Sequence, residues 1–197
     1  QEEMTNFIET ELTESLKGLP TRTTQFGRFD KGLAYTILMK YYMHEKNWAK
    51  AEECGRELLK AEYGYGLMDR YADIFTLENE GNKEIIFACT EERGTNLQLW
   101  HDHALPGNYP TKNASIQKWD GYKVPWPFYR TFEEGDDRLS VLVGEYVGTD
   151  GVLFNEESDI AKHGNLYSGA VPVKYGEDPE STGDGSQIDL VVYRYAD

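Results

Sequence analysis

Read for apolar and polar positions, the chain changes character near residue 62. Over 1–19, Met4, Ile8, Leu12, Leu16 and Leu19 recur every three or four residues among Glu and Thr. That spacing predicts an amphipathic helix, stopped by Pro20. After the polar loop "TRTTQFGRF", Asp30 offers an N-cap for a second helix over about 33–43. That helix is apolar except for a stripe of Thr36, Lys40 and His44, four apart, which predicts burial on every other side. The turn "HEKN" follows, and Asn47 caps a third helix from Trp48 to about Ala61. Trp48, Ala51, Gly55, Leu58 and Leu59 are expected to face inward, with Glu52 and Arg56 paired outside.

Beyond residue 62 the helical period is lost. A turn at 79–82 leads into a strand over about 84–90, "EIIFACT". Residues 93–130 carry Trp100, Trp119 and Trp126 among prolines. Residues 131–197 read as loops and short strands, with "GEDPESTGDGSQ" expected to be exposed and mobile and "DLVVYRYAD" a strand or helix start. The expected fold is therefore mainly α, with a loop-rich insert and short β strands. It is organised as a helical scaffold over 1–62 and a loop-rich part over 63–197 that carries any ligand site.

Charge narrows the function. Lys and Arg total 20 against 35 Asp and Glu, a net −15. Such a surface repels phosphate backbones and anionic lipid, which argues against nucleic acid as a partner. The chain has no apolar run long enough to span a bilayer. "QEEMTNFIET" has neither the basic nor the apolar region of a signal peptide. Cys54 and Cys89 read as small buried apolar residues rather than as a bridge. Aromatics make up 13% of the chain, with 14 Tyr and 4 Trp, an excess that suits cores and binding surfaces alike.

The helix pair keeps the spacing of a tetratricopeptide-like hairpin at Tyr35, Leu38, Tyr42 and Ala51, with Met39 departing from it, and one such repeat cannot bury its own face. Longer stretches carry a more specific likeness: "GRFDKGLA" at 27–34, "WAKA" at 48–51, "YGL" at 65–67, "YADIF" at 71–75, "NKEIIF" at 82–87, "FEEGDDR" at 132–138 and "RYAD" at 194–197. In this order they resemble the SusD/RagB family of surface glycan-binding lipoproteins of Bacteroidetes. The resemblance implies a central part of a SusD-like α-α superhelix, in which the hairpin is scaffold. It implies a non-enzymatic protein that binds glycan, a starch-like polysaccharide or oligosaccharide, for nutrient uptake. It further implies a TonB-dependent, SusC-like transporter as partner. The place implied is the extracellular face of the outer membrane, through a lipid anchor outside this chain. The alternative is a non-catalytic scaffold that docks only protein.

Carbohydrate recognition asks for rings to stack on the C–H face of a pyranose and for amides and carboxylates to bond its hydroxyls. Trp100, Tyr109, Trp119 and Tyr122 supply the first; Asn96, Asn108, Asn113, Gln117 and Asp120 supply the second. Large aromatics in a loop-rich region also build its core, a role that suits Trp126 between two prolines, whereas Trp100 and Trp119 read as the most available. "WHDH" at 100–103 places two His on one face of a strand, but spacing supplies no third metal ligand; His44 and His163 are unplaced. "EEGDD" and "GEDPESTGDG" offer carboxylates to calcium without EF-hand spacing, and read as solvated turns. No cofactor is expected. Neighbouring carboxylates such as Glu91–Glu92 point apart on a strand, and no nucleophile or dinucleotide motif is present, so the expectation is not an enzyme. "DDR" reads as a turn pinned by Asp–Arg bonding.

Overall fold

The computed structural model describes residues 2–162 and 164–197; His163 lies outside the described residues. In chain order the elements are α1 (Glu2–Ser15), α2 (Lys31–His44), α3 (Trp48–Leu58), β1 (Ile85–Cys89), α4 (Trp100–Ala104), β2 (Val124–Pro125) and α5 (Trp126–Tyr129). Then come β3 (Leu142–Val143), β4 (Glu145–Val147), β5 (Leu153–Asn155), α6 (Glu156–Lys162), β6 (Gly169–Pro172) and β7 (Leu190–Arg194), with short 3-10 turns between. They fall into two compact units, each drawing on separate stretches of sequence.

The first unit comprises Gln1–Leu67, Gly81–Cys89 and Val191–Asp197. Asp30 caps α2 as expected: its carboxylate accepts from Leu33 N at 3.0 Å and from Thr23 N at 3.2 Å, tying the preceding loop to the helix. Asn47 caps α3 by accepting from Lys50 N. Leu38, Tyr42, Ala51 and Cys54 form the core between α2 and α3, and Leu12 of α1 and Leu16 just after it pack against it. Tyr42 Oη donates to Glu9, which also accepts from Lys50 at 2.6 Å. Glu52 and Arg56 pair at 2.6 Å on the outer face. Gly32 is required by close packing, because a Cβ there would lie 2.0 Å from the Tyr65 hydroxyl. β7 pairs with β1, so the terminal "LVVYR" is a strand, and it closes on the helical unit.

Some expectations fail in this unit. Thr36 is not on a wet stripe: it is buried, and its hydroxyl donates to Gly32 O at 2.8 Å, which satisfies it without water. Trp48 and Leu59 are exposed rather than inward. The buried stripe of α3 is Ala51, Cys54 and Leu58, and Leu59 sits one residue, about 100°, off it. Cys89 is exposed, while Cys54 is buried, with burial pushing its thiol up to about 11; both are free.

The second unit comprises Met68–Glu80 and Thr90–Leu190. Its core gathers Leu105, Ile116, Trp126, Tyr146, Leu166, Ala170 and Val171. β6 is the centre of a three-stranded antiparallel sheet, with Val124 opposite Ala170 on one side and Val143 opposite Val171 on the other. β4 and β5 form an antiparallel hairpin. Trp126 is buried as its flanking prolines suggest, its indole N–H donating to Leu166 O at 2.9 Å. At Gly169 the chain crosses β2 so closely that a Cβ would lie 2.0 Å from Val124 O. "DDR" is pinned as expected, with Arg138 Nε on Asp136 at 2.9 Å.

The acidic segment from Gly176 to Gln187 is not the mobile loop its composition suggests. Asp178 is fully buried: it accepts from Arg93 at 3.2 Å, from Gln187 N at 3.0 Å and from Glu180 N at 2.9 Å. Asn113 Nδ2 donates to the carbonyls of Asp178, Pro179 and Ser181. Ser186 is buried and exchanges two main-chain bonds with Gln98. Composition overlooked these interactions because Arg93, Gln98 and Asn113, which tie the segment down, are distant in sequence.

Candidate functional site

The ring-rich surface of the second unit is built on α4. Stretch "WHDH" forms this short helix rather than a strand, because Gln98 Oε1 accepts from Trp100 N at 2.7 Å and starts the turn. Helical geometry places Trp100 and His103 together, three residues apart. His101 and Asp102 are buried: His101 Nε2 lies 3.1 Å from Tyr175 O, and Asp102 Oδ2 accepts from Gly185 N at 3.0 Å. The two histidines therefore do not share a face as metal ligands. Among the described residues no group of three or more His, Cys, Asp or Glu side chains converges to hold a metal.

The loop after Gln117 is strapped to α4 through its main chain. Trp119 N donates to Asp102 O at 2.6 Å and Asp120 N to Leu105 O at 3.1 Å; Gly121 N and Tyr122 N donate to His103 O at 2.7 and 2.6 Å. Asp120 takes φ +54, a left-handed conformation that Asp tolerates better than most residues, and its carboxylate pairs with Lys123. These bonds bring the rings together. His103 stacks on Tyr122 at 5.1 Å and 28°, and meets Trp119 at 5.1 Å and 80°. Trp100 packs against Tyr122 at 5.5 Å and, on Tyr175, at 5.6 Å. Trp119 is 47% and Tyr122 45% exposed, a contiguous ring surface open to solvent.

The predicted residues divide accordingly. Trp100, Trp119, Tyr122 and Asp120 are gathered here, and Gln117, exposed, begins the same loop, its N–H on Gly183 O. Trp100 is less available than its sequence suggested: it is half-buried, and its indole N–H donates to Pro172 O at 2.8 Å. Asn108 and Tyr109 belong to a separate packing network. Asn108 Oδ1 accepts from Tyr146 Oη at 2.9 Å and from Asn165 at 2.7 Å, and Tyr109 packs on Tyr146 at 5.0 Å. Burial pushes the Tyr146 hydroxyl up to about 12. Asn113 is committed to the acidic segment, and Asn96 lies in the 92–96 turn, where its amide donates to Thr90 O and Glu91. His103 and Tyr175 were missed as ring partners; aromatic spacing on a five-residue helix gives no periodic signal strong enough to find them.

No family model matches the sequence, and no curated protein matches it by sequence. Solved structures do match. Surface glycan-binding protein A from Bacteroides thetaiotaomicron superposes with a TM-score of 0.71 at 19% identity, over 99% of this chain and 46% of its own. A SusD superfamily protein from Bacteroides fragilis gives 0.72 at 17% identity, over 98% and 45%. The chain has the SusD-superfamily fold. The Bacteroides thetaiotaomicron protein in complex with laminarihexaose gives 0.69 at 19% identity, over 99% and 47%. This SusD-like chain thus spans just under half the length of those three structures. Among its described residues no helix is long and apolar enough to cross a membrane.

Proposed function

We propose that this chain belongs to a cell-surface glycan-binding protein and that the Trp119–Tyr122 surface is a sugar platform. The observation that carries the reading is the pair of half-exposed rings held by main-chain bonds of their loop, with the partly exposed Asp120 carboxylate between them in sequence. Stacking of C–H faces on such rings is favourable without a charge on the ligand, which suits a chain of net −15. The laminarihexaose complex of a structural neighbour supports the ligand class. In this reading the protein is a binder rather than an enzyme and delivers oligosaccharide to a SusC-like, TonB-dependent transporter. It sits on the extracellular face of the outer membrane through a lipid anchor. Calorimetric titration with a panel of neutral oligosaccharides tests it: binding that Trp119→Ala and Tyr122→Ala each weaken supports it, and silence across the panel sinks it.

A second reading, a tetratricopeptide-like scaffold that docks protein, is favoured by one observation. The first unit carries an apolar groove of about 620 Å³ lined by Met39, Met43, Trp48, Leu59 and Ile86. Partner binding that Trp48→Ala removes and Trp119→Ala leaves intact would favour this reading.

A further inference from the structure

Gln98, just before α4, and Asp102, one turn on within it, are buried, at 7% and 1% exposure. Among the described residues each leaves one side-chain atom without a hydrogen-bond partner: Gln98 Nε2 and Asp102 Oδ1. Chemistry fixes which atom of Gln98 is left over. Its oxygen accepts from Trp100 N at 2.7 Å, so the remaining atom is the amide nitrogen, a donor. Asp102 Oδ2 accepts from Gly185 N at 3.0 Å, which leaves Oδ1 as an acceptor. The two atoms converge on the same stretch of chain. Gln98 and Ser186 exchange two main-chain bonds, at 3.1 and 2.8 Å, as a directly opposed antiparallel pair, so their side chains leave it on the same side. Gly185, whose N–H holds Asp102, is the residue next to Ser186. Ser186 is fully buried; its hydroxyl accepts from Ile188 N at 3.1 Å and keeps a proton to donate.

We infer that a single water molecule is bound here, accepting from Gln98 Nε2 and donating to Asp102 Oδ1, with the Ser186 hydroxyl as its third partner. It joins the start of α4, which carries Trp100 and His103, to the buried acidic segment. Water meets a donor and an acceptor at once, and internal waters typically make about three such bonds. A metal ion does not suit the site. The Gln98 amide aims its positive hydrogens into it, and among the described residues no three His, Cys, Asp or Glu side chains converge. A proton on Asp102 would set a donor against the Gln98 donor and satisfy neither atom.

Crystallography and NMR of the chain test this. A crystal structure is expected to show one water at roughly 2.7–3.2 Å from both Gln98 Nε2 and Asp102 Oδ1. In solution the Gln98 side-chain amide protons should give a cross-relaxation peak with water, of the sign produced by a water that tumbles with the protein. A direct Gln98–Asp102 bond, a metal ion in the site, or the absence of that peak overturns the inference. An exchange of the two side chains tests their convergence separately. Gln98→Glu keeps the acceptor for Trp100 N but sets a second carboxylate against Asp102, and should lower the urea midpoint. Adding Asp102→Asn reverses donor and acceptor across the water, and should recover about half of that loss or more. A double variant no more stable than Gln98→Glu alone shows that the two side chains do not meet, and overturns the inference with it.

Discussion

Replacing Asp178 by Ala tests whether the acidic segment is structural. The side chain is fully buried and accepts from two main-chain N–H groups, of Gln187 and Glu180, and from the Arg93 guanidinium. Orphaning each N–H costs about 1 kcal/mol. The Arg93 side chain is 32% exposed, so water recovers much of its lost partner and the ion pair adds only about 1 kcal/mol. The expected loss is about 3 kcal/mol, with Asp178→Asn falling near half of that because its amide oxygen still accepts. Urea unfolding followed by circular dichroism gives the shift. Hydrogen exchange at the Glu180 and Gln187 amides locates it, with protection falling there first. A loss below about 0.5 kcal/mol, or unchanged exchange at those amides, would refute the reasoning and return the segment to a solvated loop.

Trp126→Ala should cost about 4 kcal/mol in the same assay, through the cavity and the stranded Leu166 carbonyl, whereas Trp126→Phe should cost well under half as much. Gly169→Ala should destabilise by more than about 2 kcal/mol, since its Cβ meets Val124 O and β6 must part from β2; an unchanged melting profile contradicts this. Burial raises the Asp189 and Glu91 carboxyls, and Glu80 is raised by burial and by the Asp189 charge. Because these folded-state values lie above the unfolded ones, their stabilisation is complete below the ordinary carboxylate range. It is lost as pH rises through the raised values. Urea midpoints should therefore fall as pH rises above the ordinary carboxylate range, by more in the native protein than in Asp189→Asn.

Much of the helical unit was legible because its signals are local. Asp30 and Asn47 cap the helices they precede, and Glu52 finds Arg56 one turn away. Thr36 misled because a buried hydroxyl that bonds its own helix carries the same letter as a wet one. In the second unit the determining contacts join residues far apart in sequence: Arg93 to Asp178, Asn108 to Asn165, Trp126 to Leu166. Periodicity cannot find such pairs. Of the ring cluster, residues 96–122 showed which rings and amides were present, but only the fold separated Trp119 and Tyr122, which face water, from Asn108 and Asn113, which hold the unit together.

The strap on α4 has an evolutionary consequence. Its four bonds run from peptide groups, which every amino acid other than proline can supply, so whichever side chain occupies 119 or 122 is free to change without unfolding its support. A lineage carrying this loop can change either exposed ring by a single substitution, while inheriting the frame intact.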